Sequence, residues 1–366
     1  MDPRAVWLSE HFRLSDFLGN HSVYTKGFRN PFLHSIDSLH IENARALCTH
    51  ALEPVLSYFG PLSISYGYIS DEFSRRTVAY QDPTKPSHHR WDLGAAADIA
   101  VHAPLRGLPM PNVPLPYLFA DQNTRTSPAL LAHALDSELC IPYSRMITYS
   151  ESPFVCVAVS AREVATGRLR KAFYENEYMG VPRAKPNYHQ MASEAQRAAR
   201  LSALQETGLA HPWHGGGYPS YHGGGKLQYQ HTQVSKYTTL LDWVISLKSI
   251  SNGITNMPNV RDHAVHDAFV AAGLVYDALV DQLGIPRFSI MAGYLQRTHP
   301  DFGTTGDWHG GEAGFLLGPP QSYMDDLPGL AQQIDTLVSG VGYAQEHEHG
   351  IEVRLDVTEV LGDPRF

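Results

Sequence analysis

Gly27-Phe28-Arg29-Asn30 opens a stretch that runs through a helical pattern to Leu62-Ser63-Ile64-Ser65-Tyr66 and a Gly67-Tyr68 turn. Gly253-Ile254-Thr255-Asn256 opens another, which runs through a second helical pattern to Phe288-Ser289-Ile290-Met291-Ala292 and Gly293-Tyr294. Asn30 precedes Gly67 by 37 residues, and Asn256 precedes Gly293 by 37. Further on, Trp91-x-x-Gly94-x-Ala96 is echoed by Trp308-x-x-Gly311-x-Ala313, and the apolar run around Cys156 by Gly350-Ile351-Glu352-Val353-Arg354-Leu355. Several signals repeating in one order, the first of them at one spacing, read as a tandem duplication of one helix-and-strand unit.

Within the first copy, apolar residues at Ala44, Leu47, Ala51, Leu52, Val55, Leu56 and Phe59 recur near the helical period, predicting a helix from Ile41 to Phe59 that Pro54 bends. Leu62 to Tyr66 alternates as a strand does, Ile99-Ala100-Val101 reads as a second strand, and Phe154 to Val159 as a third. Ser127-Pro128 reads as the start of a helix through Leu139, and Val265 to Leu283 as the long helix of the second copy. Helices and strands in this mixed order give an α+β class, each copy a small mixed or antiparallel sheet with packed helices. The expected division is 1–162, a connector over 163–236, and 237–366. The connector has a charged helical stretch over Ser193–Leu204. Its twin His-Gly-Gly-Gly units at His214 and His222 read as a loop or inter-domain linker, because a glycine-rich segment pays ordering entropy to hold a ligand.

A chain of 366 residues with a formal charge of -9 and no dense Lys/Arg run is not built to grip phosphate, so no nucleic-acid partner is expected. Three cysteines, Cys48, Cys140 and Cys156, are too few for a disulfide scaffold and fit free thiols in a reducing compartment. The segment from Met1 to Trp7 lacks a basic stretch followed by an apolar one, and no run is long enough to span a bilayer. The expected location is therefore cytoplasmic, or outside the cell by lysis or in a phage particle.

His88-His89-Arg90-Trp91-Asp92-Leu93-Gly94-Ala95-Ala96-Ala97-Asp98 sets imidazoles and a carboxylate around small residues just before a strand. Small residues let the backbone turn and pack closely, and a histidine with an aspartate can hold a divalent ion such as zinc. The repeat aligns Asp98 with Phe315, which binds no metal, so the second copy cannot carry the same site. It has polar residues of its own, His309, Glu312, His347, His349 and Glu352, that offer an alternative metal set, as does His88 in the first copy. A charged loop leading into a strand is the competing reading of Glu346 to His349.

Taken together, Gly27 to Pro31, a long helix, a strand ending in Gly67-Tyr68, Ser87-x-His89 with Gly94-x-Ala96-x-Asp98, and a late strand resemble the zinc D-Ala-D-Ala carboxypeptidases and related peptidoglycan endopeptidases. That family shares its fold with the amino-terminal signalling domain of hedgehog proteins. The resemblance covers residues 14–160 and, more faintly, 240–358. It implies zinc on His89 and Asp98, with Cys156 standing where the family has a third histidine, and Glu151 as the catalytic base. It also implies a cation for the substrate carboxylate, a role for Arg75 or Arg76, since Ile69 follows Gly67-Tyr68 here. The implied activity is zinc-dependent hydrolysis of amides in peptidoglycan stem peptides. The alternative is a non-catalytic structural or binding protein, such as a phage-particle component with a protein partner or an assembled state, built from a degenerate duplicated fold.

Overall fold

The computed structural model describes residues 2–18, 36–70, 87–101, 131–132, 134–149, 154–176, 235–238, 242–243, 263–293 and 312–366. The chain separates into two compact units, residues 31–228 and a discontinuous one of residues 1–30 and 229–366. Both are mixed α+β.

In the first unit, α1 (Ser38–Leu47) begins where the Asp37 carboxylate accepts from the His40 N–H. It runs through a π-turn, Cys48–Leu52, into α2 (Glu53–Phe59). The bend expected at Pro54 takes the form of that wide turn. The Glu53 N–H reaches back to the Cys48 carbonyl, and the widened spacing absorbs the donor that proline lacks. The stripe Ala44, Leu47, Ala51, Leu52, Val55, Leu56 and Phe59 is buried, as its spacing predicts. The strands β1 (Leu62–Tyr66), β2 (Ala95–Val101), β3 (Arg145–Tyr149), β4 (Val155–Val159) and β5 (Ala172–Asn176) lie in the order β1-β2-β4-β3-β5. All pairs are antiparallel except β3 with β5, which is parallel. A short helix, α3 (Ala161–Thr166), follows β4. The helix expected over Ser127–Leu139 appears at residues 131–132 and as a π-turn over Ala134–Glu138; its start lies outside the described residues.

In the second unit, α4 (His263–Leu283) leads to β6 (Ser289–Ala292), β7 (Glu312–Gly318), α5 (Leu327–Val338), β8 (Gly342–His347), β9 (Gly350–Asp356) and α6 (Val357–Gly362). The sheet order is β6-β7-β9-β8, all antiparallel. First, second, fourth and third strands therefore follow one another in both sheets. Both also carry an irregularity at one place in their first pair, between Ile64 and Tyr66 and between Ile290 and Ala292. Counting through that irregularity, Tyr66 faces Asp98 and Ala292 faces Leu316. Register thus puts Leu316, not the expected Phe315, in the place of Asp98, and Glu352 in the place of Cys156.

The first residues of the chain pack in the second unit. The buried Arg13 side chain donates to the carbonyls of Arg4, Pro319 and His349 and stacks on Trp7. Asp16 accepts from the Arg13 N–H, from Arg287 and from Ser289. The Ser193–Leu204 helix and both His-Gly-Gly-Gly units lie outside the described residues.

Candidate metal centre

The turn before β2 is held from several sides. Ser87 caps a 3-10 turn, His88–Arg90, by accepting from the His89 N–H. The His89 carbonyl takes the Ile69 N–H at 2.8 Å. Trp91 is fully buried in the left-handed region at φ 66°, where a residue other than glycine needs support. That support comes from the Asn43 amide, which donates to the Trp91 carbonyl and accepts from Ala161, and from the Trp91 indole, which donates to the Ala96 carbonyl. Gly94 sits at φ +156°, and a Cβ there would lie 2.9 Å from the Val159 carbonyl. Only glycine lets β2 start this close to β4.

These constraints aim His89 at the sheet. Its Nδ1–H donates to the Gly67 carbonyl at 2.8 Å, leaving Nε2 to face Asp98 Oδ1 at 3.3 Å and Cys156 Sγ at 3.6 Å. Asp98 and Cys156 stand opposite one another in the β2–β4 register. The donor atoms of the three residues all lie within 4.8 Å of one another. A tetrahedral zinc about 2.0 Å from nitrogen or oxygen and about 2.3 Å from sulfur spaces its ligands roughly 3.3–3.6 Å apart, and the two edges from His89 Nε2 have that length. Asp98 Oδ1 is buried without a well-formed hydrogen bond and is paired by charge with His89, a contact that a bound ion would replace. The Gly67 carbonyl fixes the ring and its tautomer, as partners behind metal-bound histidines do. Tyr66 packs edge-on against the ring, centroids 4.8 Å apart.

Burial disfavours a charged His89, but the Asp98 carboxylate and Cys156 outweigh it and lift its pKa to about 10. Burial, reinforced by Asp98, pushes the Cys156 thiol up. An ion entering the site must therefore displace protons.

His89, Asp98 and Cys156, the set expected from sequence, are brought together and can hold a metal ion. His88 does not join them. Burial and the charge of Arg145 push it down to about 4, and its Nδ1 is enclosed without a hydrogen bond. Glu151, Arg75, Arg76 and His309 lie outside the described residues. In the second unit, Glu346-His347 belongs to β8, and the following turn joins it to β9. His349 pairs with Asp2, and Glu352 is tied by Arg354 and Gln345. Among the described residues only the His89 group has the spacing of a metal site. Sequence reading passed over β3, which brings Arg145 into register with Ala158 on β4; the short run Arg145–Tyr149 carries a weak strand pattern.

No family model matches the chain, and neither do curated proteins or solved structures.

Proposed function

We propose that the chain is a metal-dependent amide hydrolase of the D-Ala-D-Ala carboxypeptidase kind, built from a duplicated fold, with zinc held by His89, Asp98 and Cys156 in the first copy. The observation that carries the reading is the convergence of three donors on one point, with the imidazole tied from behind by Gly67. A carboxylate, an imidazole and a thiolate form a donor set suited to zinc, and three protein ligands leave a fourth position open, as catalytic centres do and structural ones do not. A zinc ion there supplies the Lewis acidity that amide hydrolysis needs. Glu151, which precedes β4 in the chain, is assigned the proton transfer, and the substrate class is the peptide amide of peptidoglycan stems. The matched strand order and irregularity of the two sheets support the duplication.

The second sheet favours a second reading, a non-catalytic structural or binding protein. Leu316 stands where Asp98 does, and Glu352, in the place of Cys156, is engaged by Arg354. Among the described residues no helix is long and apolar enough to cross a membrane.

Metal content of the purified, unchelated protein, measured by plasma mass spectrometry beside Asp98→Ala, tests the proposal. It expects about one zinc per chain, lost in a variant whose circular dichroism is unchanged, and release of amines from peptidoglycan fragments by the parent alone. A parent without stoichiometric metal refutes the hydrolase; metal without hydrolysis favours the second reading.

A further inference from the structure

Two rungs of the first sheet cross at the centre. Asp98, Cys156 and Ile147 stand side by side on β2, β4 and β3, and Ala96, Ala158 and Arg145 form the rung two residues away. Residues opposite one another share a face, as do residues two apart, so Arg145 lies on the face that carries Asp98 and Cys156. Its Cα is diagonal to that of Cys156, roughly 7–8 Å away, within reach of a long side chain. What lies between is small and apolar: Ala96 and Ala158 are fully buried and cluster with Cys156 and Ile147. Arg145 is close enough for its charge to act on both Cys156 and His88.

A divalent ion bound by one carboxylate, one thiolate and one neutral imidazole makes a centre of zero formal charge. With a second imidazole in place of the thiolate the charge becomes +1. We propose that Arg145 is the residue that sets the ligand charge of this centre, favouring a thiolate at position 156 over a neutral donor. This rests on the metal reading given above. One unit of charge at ~8 Å, with an effective dielectric of ~20–40, corresponds to roughly fivefold to thirtyfold in a binding constant.

Cobalt(II) affinity, measured by competition with a chromophoric chelator, reads the effect without any substrate. Four chains complete a cycle: the parent, Arg145→Met, Cys156→His and the double variant. Removing the cation is expected to raise the affinity of the Cys156→His chain more than that of the parent, by roughly fivefold to thirtyfold, and Arg145→Lys is expected to restore the parent's behaviour. Equal effects of Arg145→Met in the two backgrounds, within twofold, overturn the assignment while leaving the metal site standing. A parent that binds no cobalt overturns both. Cys156→Ser, which keeps the shape of cysteine and loses its charge, replaces Cys156→His in the cycle if circular dichroism finds that variant unfolded, and the same inequality is required of it.

Discussion

Asp16 holds the start of the chain to the second unit through one oxygen. Asp16 Oδ2 accepts from the Arg13 N–H at 2.9 Å, from Ser289 Oγ at 3.0 Å and from Arg287 Nη1 at 3.1 Å. Arg287 is buried over the Phe12 ring, and among the described residues its other acceptors are neutral: the His11 carbonyl and Ser289 Oγ. Asp16→Ala therefore strands a guanidinium in the core, which costs about 3–5 kcal/mol, and the two lost neutral hydrogen bonds add little because they share the deleted atom. Against a typical stability of roughly 5–15 kcal/mol, the loss should free residues 2–18 before the rest of the unit melts. Hydrogen exchange by mass spectrometry along a urea series reads that release. Replacing both partners, Asp16→Leu with Arg287→Met, should recover at least about 2 kcal/mol of the single-variant loss, since an apolar pair leaves no orphaned charge. If Asp16→Ala stays within about 1 kcal/mol of the parent, or the double variant merely sums the singles, the ion pair does not fasten this segment.

Gly94→Ala drives a methyl to 2.9 Å from the Val159 carbonyl. It should lower the stability of the first unit by about 1–3 kcal/mol in thermal unfolding and weaken cobalt binding along with it; an unshifted melt contradicts the close approach of β2 and β4. Burial raises Asp277 to about 7, although the Ser235 hydroxyl and the N–H groups of Lys236 and Tyr237 donate to it. A carboxyl raised above its unfolded value of about 4 gives stability that is full below that value and lost as pH climbs toward 7. Between those limits, urea unfolding of the parent should lose up to about 4 kcal/mol relative to Asp277→Asn, and parallel curves for the two chains would contradict it. Asn43→Ala removes the amide that supports Trp91 in its left-handed conformation and should cost about 1–3 kcal/mol, read as a lower urea midpoint with an unchanged slope.

The long helices and the central strands were legible because burial writes itself into spacing. The stripe from Ala44 to Phe59 and the unbroken apolar run Val155–Val159 need no partner to be recognised. His89 and Asp98 could be named because a turn of small residues with a histidine and an aspartate is local. Cys156 came from resemblance, and its meeting with His89 depends on a strand pairing that no periodicity encodes. Gly342–His347 is mostly exposed and polar, so β8 carries no apolar signal; the β6–β7 and β7–β9 registers, which no periodicity encodes, decide that Leu316 and Glu352 fall where Asp98 and Cys156 do. By contrast, the stripe Leu327, Leu330, Ala331, Ile334 and Val338 of α5 was readable and was passed over. The attachment of residues 2–18 was hidden for a different reason: Arg13 meets Pro319 and His349, partners some three hundred positions away that leave no trace in local composition.

That attachment sets an order of events on the ribosome. Phe12, Leu14 and Phe17 are made well before Ser289, where the sheet of the unit that buries them begins. At about 5–20 residues per second, the interval is roughly 15–55 s, while closing a helical turn takes well under a microsecond. The unit of residues 31–228 can be synthesised in full during that wait. The apolar segment over residues 12–18 meanwhile stays open to chaperones and to neighbouring nascent chains. Ribosome stalling anywhere between the two halves of the discontinuous unit would leave the first unit folded beside an unburied strip of phenylalanine and leucine.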